Sequence, residues 1–277
     1  MEIGIGLPNT LSCLEGSTLI GWARLAELHG FTSLSTIGRV AWPSYDEFVA
    51  LAAAAAVTER IRVMTNVALM PTWDAARFAK ATASLDQISG GRPDDFEAIG
   101  RDMSSRGRDL DHGLEVMHAT WRGEATPWFD TPFGPDAVKG RIPILFGGDP
   151  TKAGPRAARW DGGYTIGGAP FEMAAAAVNA VKDAYRKEGG AGDPRICALN
   201  YFSLGDEHTH RLVENLRAYY GFTGEYAEMI AQGAARSADE IRRRVDGFAG
   251  AGVDELVWTP SVGDLDQVER LAVAVMP

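Results

Sequence analysis

Short apolar, β-branched runs alternate along this chain with stretches of helical periodicity. The runs at 3–7, 33–37, 61–69, 142–148, 164–167, 196–204 and 255–259 predict strands. Between them, Leu110, Leu114, Met117 and Trp121 recur on one helical face, as do Val178, Val181 and Tyr185. Ser44-Tyr45-Asp46-Glu47 and Ser237-Ala238-Asp239-Glu240 have the form of capping boxes that open two more helices. The order reads βαβαβα, then a helix without its strand, then βαβαβαβα. That is an α/β chain of the TIM (β/α)8-barrel type with the fourth strand lacking or altered. The irregularity lies where Ser89-Gly90-Gly91-Arg92 is followed at once by Pro93-Asp94-Asp95-Phe96, the lead-in to the next helix, which Asp94-Asp95 would cap.

Two stretches exceed ordinary loop length. Residues 123–141, with Pro127, Pro132 and Pro135, follow a helix and so belong to the bottom face in a structural role. Residues 205–236 follow a strand, carry a helical pattern at Leu212, Leu216 and Tyr219, and form a candidate lid on the top face. No linker divides the chain, so residues 1–277 read as a single barrel domain with a lid insertion at 205–236.

Composition narrows the chemistry. With 27 Lys+Arg against 37 Asp+Glu, the net charge of −10 argues against nucleic acid or an anionic membrane as partner. No apolar run reaches membrane-spanning length, and the first residues enter a strand with no basic leader. Cys13 and Cys197 lack CxxC spacing, which suits thiols in a reducing cytoplasm rather than a disulfide framework. The five histidines, His29, His112, His118, His208 and His210, give no metal-ligand spacing.

Four segments together carry a family resemblance: Thr58-Glu59-Arg60-Ile61-Arg62-Val63, then Ser84 to Arg92, then Arg106-Gly107-Arg108 with Asp111, then Trp121-Arg122-Gly123-Glu124. With Gly252-Val253-Asp254-Glu255-Leu256-Val257 near the end, the chain resembles the luciferase-like monooxygenases, which use FMN or coenzyme F420. The resemblance implies a flavin- or F420-dependent oxidoreductase acting on a small organic substrate, as a homodimer. It implies a non-proline cis peptide behind the cofactor ring at Asn66-Val67, and cofactor phosphate near Gly147, Gly148 and Thr151. Glycines there would let the backbone approach a ligand, and a helix N-terminus attracts phosphate. Asp149, in the same turn, would repel phosphate and suits a helix cap.

The chain departs from the family in two places. Relatives carry a strand and its exit loop between the positions of Arg92 and Pro93, and that segment supplies a further phosphate contact. Many relatives also carry a His just after the second strand, where this chain has Arg39. An Arg stays protonated and serves as no base, but it suits an oxyanion, an acidic substrate or an acidic cofactor tail. Trp42 is a candidate for the pocket mouth. No catalytic residue is assigned from sequence. The departures leave open a second reading, a degenerate flavin-binding or structural paralogue without turnover. The aromatics Tyr219, Tyr220, Phe222 and Tyr226 in the lid suit an apolar or aromatic substrate.

Overall fold

In the computed structural model, residues 1–12, 14–69, 72–92, 106–126, 130–168 and 170–276 are described. Seven parallel strands form one curled sheet in the order β3-β2-β1-β7-β6-β5-β4. They are β1 (Glu2–Gly6), β2 (Ser33–Thr36), β3 (Arg62–Thr65), β4 (Leu145–Phe146), β5 (Gly163–Ile166), β6 (Ile196–Phe202) and β7 (Glu255–Pro260). Eight helices wrap them: α1 (Gly16–Leu28), α2 (Glu47–Ala55), α3 (Ala75–Ser89), α4 (Arg106–Trp121), α5 (Pro150–Trp160), α6 (Ala174–Lys187), α9 (Ala238–Gly250) and α10 (Asp266–Val275). Two more, α7 (Thr209–Tyr220) and α8 (Glu225–Gly233), lie in the 205–236 excursion. This is a TIM-like α/β architecture whose described sheet ends at β3 and β4.

Parallel strands covered by helices are buried on both faces, which is why their sequences run apolar instead of alternating. The outer layer joins strand and helix residues such as Trp22, Leu34, Leu51, Phe78, Phe248 and Trp258, all fully buried. Met64, Leu145, Cys197 and Val257 form a separate interior cluster. Two expected strands are shorter than their apolar runs. The 61–69 run is strand only over β3, because the chain turns at the Asn66-Val67 cis peptide. The 142–148 run keeps only β4, which among the described residues pairs with β5; the buried Ile144 adds its carbonyl, which accepts from the Gly163 amide at 2.8 Å.

The expected gap after Arg92 falls at residues 93–105, which, with the Asp94-Asp95 cap, lie outside the described residues. What precedes it is well defined. The Val63 amide donates to the Arg92 carbonyl at 3.0 Å, so the chain leaving α3 lies against the outer edge of β3. The Arg92 guanidinium donates to the Ala55, Thr58 and Ile61 carbonyls and to Thr58 Oγ1, at 3.0–3.1 Å. A cation thus binds the last carbonyl of α2, at Ala55, and two carbonyls of the loop that follows.

The helix caps refine the sequence reading. Asp46, not Ser44, caps α2, accepting from the Phe48 and Val49 amides. Ser237 caps α9 as expected, and the Glu240 carboxylate reaches back to the Arg236 amide at 2.7 Å. The 123–141 stretch is tied to α3: the Val138 amide donates to the buried Asp86 carboxylate, and Gln87 donates to the Asp136 carbonyl at 2.7 Å.

At the N-terminal ends of the strands, a buried carboxylate organises the barrel floor. Glu255 is fully buried and accepts from Thr32 Oγ1 at 2.8 Å and Ser33 Oγ at 2.6 Å. Its other oxygen pairs with Arg62 and Arg195, which also reach Glu2. Four strands or their leading residues therefore meet on one carboxylate. Glu255→Ala would leave Arg62 and Arg195 paired with Glu2 but remove the acceptor of the Thr32 and Ser33 hydroxyls, and a loss of about 1–3 kcal/mol is expected by urea denaturation.

On the outside, the His118 ring stacks between Trp121 and Trp160, at centroid distances of 5.2 and 4.8 Å. Its Nε2 is buried with no hydrogen-bond partner among the described residues. Burial, then the nearby Arg122 and Arg141, lowers its pKa to about 4. Because the unfolded chain binds the proton first, stability is intact above about pH 6.5 and falls as pH drops towards 4. His118→Phe keeps the stack and should flatten the melting temperature over that interval; an unchanged slope would assign it to other groups.

Candidate functional site

The C-terminal ends of the strands meet around the Asn66-Val67 peptide, which is cis. The Asn66 side chain enters the barrel interior. Its Oδ1 accepts from Thr165 Oγ1 on β5 at 3.1 Å, and its Nδ2 lies 3.9 Å from Cys197 Sγ on β6. The backbone is fixed from the other side: the Asn66 amide donates to the Thr36 carbonyl and the Val67 carbonyl accepts from the Gly38 amide, each at 2.7 Å. One residue therefore joins β3 to β2, β5 and β6.

Val67 forms part of the wall of a cavity of about 740 Å³. Gly148, Pro150, Tyr164, Thr165, Ile166 and Gly167 continue the wall across the ends of β4 and β5. Met173, Ala176 and Ala177 close it from the α6 side, Glu172 stands at the rim, and Tyr226 of α8 reaches it from the excursion. The walls are mainly apolar with a few fixed polar groups, the usual make-up of a small-molecule site at this end of a barrel. Gly148 takes φ +86°, a conformation that glycine adopts without strain. The Tyr164 hydroxyl donates to the Gly148 carbonyl at 2.8 Å and holds this turn. A Cβ at Gly148 or at Gly167 would meet no atom within 4 Å, so both glycines leave open space beside the cavity.

The expected site residues divide. Val67 and Gly148 line the cavity, Asn66 lies behind its wall bonded to the lining Thr165, and Gly147 is the residue between β4 and Gly148. Thr151 does not join them. Its amide and hydroxyl both donate to Asp149 Oδ1, at 2.9 and 2.7 Å, and Asp149 is the N-cap of α5. Thr151 lies instead along a surface groove with Asp111, Lys152 and Arg156. The donors expected to take a phosphate at this helix start are thus already engaged by a carboxylate, whose pKa is lowered by those same hydrogen bonds.

Arg39 follows β2 but turns toward the excursion. It donates to the Tyr219 carbonyl at the end of α7. Its guanidinium carbon sits 5.1, 4.7 and 4.6 Å from the ring centroids of Trp42, Tyr219 and Phe222. Trp42 itself donates to the Thr10 carbonyl at 2.7 Å.

Of the other contributors, Tyr219, Tyr220 and Tyr226 were expected from the lid aromatics, whereas Thr165, Ile166, Glu47 and Tyr201 were not singled out as site residues in the sequence. Thr165, Ile166 and Gly167 end a predicted strand, and that position alone could have flagged them. Tyr226 carried no signal for the cavity beyond its aromatic character. Glu47, at the first turn of α2, is buried, and burial raises its carboxyl pKa. A Cβ on Gly38 would fall 2.7 Å from Glu47 Oε1, so glycine is what lets the β2 loop pass this acid. The excursion supplies a tyrosine cluster. Tyr201 of β6 and Tyr220 share a hydroxyl contact at 2.5 Å. Burial raises the pKa of Tyr201, Tyr219 and Tyr220, the last to about 12, so these phenols stay protonated near neutral pH.

Known proteins agree with this architecture. Solved structures similar over essentially the whole chain include the monooxygenase RslO1 from Streptomyces bottropensis (TM-score 0.77, 21% identity, 100% of this chain and 99% of that one). An F420-dependent secondary alcohol dehydrogenase with an F420-acetone adduct gives TM-score 0.78 at 16% identity, covering 99% and 98% of the two chains. Riboflavin lyase RcaE with modified FMN and riboflavin gives 0.70 at 15%, covering 98% and 90%. At such identities the likeness shows the fold. Among curated relatives, an uncharacterised protein of Mycobacterium tuberculosis is 33% identical over 147 residues, 47% of this chain; the match spans only 51% of that relative's own length. The sequence model of the luciferase-like monooxygenases matches residues 1–274, and the chain belongs to that family.

Proposed function

We propose that the chain is an oxidoreductase that seats a flavin-type ring, of FMN or F420, in the cavity beside Asn66-Val67 and brings a small organic substrate against it. One observation carries this reading: the cavity of about 740 Å³ is built on Val67, Thr165, Ile166, Gly148 and Gly167, at the catalytic end of the barrel. Two glycines that leave open space beside the wall suit a broad planar ring, and the apolar lining suits its faces. When bound, such a cofactor supplies hydride or oxygen chemistry itself. The chain's own residues orient and enclose it. Val67 would support one face, with the Asn66 amide and Thr165 hydroxyl held behind it by their mutual hydrogen bond. The lining favours an apolar or aromatic substrate.

A second reading, a family member that binds without turnover, draws on two features. Asp149 occupies the donors at the start of α5, and Arg39 stands after β2 engaged with α7. Neither bears on the ring-binding part of the cavity, so both readings keep the cofactor, and turnover of the bound ring separates them.

Titration of the protein with FMN, reduced FMN and F420, followed by ring fluorescence, tests the proposal directly. Saturable binding of one of them at micromolar concentration is expected; no binding to any would leave the structural-paralogue reading in its place. Gly167→Phe puts a ring into the open space without a positive φ to strain. It should weaken cofactor binding by about 100-fold or more, as loss of a preformed apolar site implies, with an unchanged melting temperature. Unaltered affinity in a folded Gly167→Phe protein would move the ring elsewhere.

A further inference from the structure

The excursion between β6 and α9 is fixed at its base and docked at its tip by different means. At the base, Phe202 and Ala235 form a parallel bridge, with the Ala235 amide on the Tyr201 carbonyl at 2.8 Å and the Ser203 amide on the Ala235 carbonyl at 3.0 Å. The Leu204 amide donates to Gln267 Oε1 at 2.7 Å and its carbonyl accepts from Gln267 Nε2 at 2.9 Å. Within the excursion, Arg217 and Glu228 form a two-contact ion pair that locks α7 to α8. Leu212, Leu216, Ile230 and Ala231 then pack on Leu199 and Tyr201 of β6 and on Ile37 after β2.

The tip meets the barrel mouth at Arg39. A guanidinium on the last carbonyls of a helix is favoured by the helix dipole, and its flat faces suit aromatic rings. Here both interactions fall on one side chain, with Tyr219 supplying a carbonyl and a ring, Phe222 a second ring, and Trp42 from the barrel a third. From that point a run of edge-to-face contacts leads to the cavity: Tyr219 on Tyr220 at 5.0 Å, then Tyr220 on Tyr226 at 6.2 Å. Tyr226 is the residue of the excursion that lines the cavity.

We propose that Arg39 is a positioning residue that latches the 205–236 excursion over the barrel mouth and so sets Tyr226 as the outer wall of the cavity. This packing gives Arg39 work other than binding an acidic tail: a ligand carboxylate would have to take it from the Tyr219 carbonyl and three rings. Phe222 in the stack and Val40 next to Arg39 are 74% and 78% exposed, so one side of the latch faces solvent, while Tyr219 is buried among the residues that seat the excursion. The consequence for ligand retention rests on the cofactor-binding reading; the latch itself does not.

Hydrogen exchange of the whole protein, comparing wild type with Arg39→Gln, separates the two. Amides of α7 and α8 should exchange about ten-fold faster in Arg39→Gln, the combined effect of a lost cation–π stack and charged hydrogen bond, with β1–β7 unchanged. Arg39→Lys, which keeps the charge and loses the planar fork, should fall between, and Phe222→Ala should give about a three-fold rise from removal of one ring. Whichever cofactor wild type binds should leave Arg39→Gln about ten-fold faster in a displacement experiment, by the same loss. Unchanged exchange in α7 and α8, or a rise spread evenly over the barrel, would overturn the latch. Lid-confined exchange in a protein that binds no cofactor would support the latch and remove the cofactor reading instead.

Discussion

The Asn66 side chain closes what the sheet leaves open. In the described sheet β3 and β4 are the two ends of a seven-strand run, with no ladder between them. Curling brings β3 opposite β5 and β6, and the Asn66 amide spans that interior to Thr165 and Cys197. A buried amide costs free energy unless both its ends find partners, so this contact favours the curl that brings β5 and β6 within its reach. The position of Val67, and with it the cavity wall, follows from that curvature. Beneath it, Glu255 of β7 gathers β2, β3 and the residue leading into β6 onto one carboxylate.

The site is layered around this junction. The β2 loop is held by its Gly38 amide on Val67 and packed on the Glu47 carboxyl. The same loop then presents Arg39 to the excursion. Holding the cavity wall and holding the cover are therefore tasks of neighbouring residues, 38 and 39. A change at either would be felt at both surfaces of the cavity.

Asp149 shows a local preference acting inside an expected motif. A helix opening with Asp-Pro-Thr is capped efficiently by its own carboxylate, which takes the Thr151 amide and hydroxyl. The glycine before it still serves the cavity, because its positive φ turns the backbone there and Tyr164 holds the carbonyl. Proximity in sequence thus put Gly148 and Thr151 into one expected motif, and one turn of backbone separated them.

The sequence by itself determined the strand and helix order, the surplus helical segment after β6, the family, and the place of the cis peptide. The element order follows from local periodicity and capping chemistry, the family from motifs spread along the chain, and the cis peptide from the family resemblance those motifs carry. Strand length was less legible: the runs at 61–69 and 142–148 are apolar throughout, yet only Arg62–Thr65 and Leu145–Phe146 are strand. Burial and ladder pairing both demand apolar residues, and composition does not distinguish them. Tertiary structure alone decided that Asn66 meets Thr165, 99 positions away, and that Arg39 meets Tyr219, 180 positions away. Such partners are chosen by the curl of the sheet and the docking of α7 and α8, and neither is encoded in the residues next to Asn66 or Arg39.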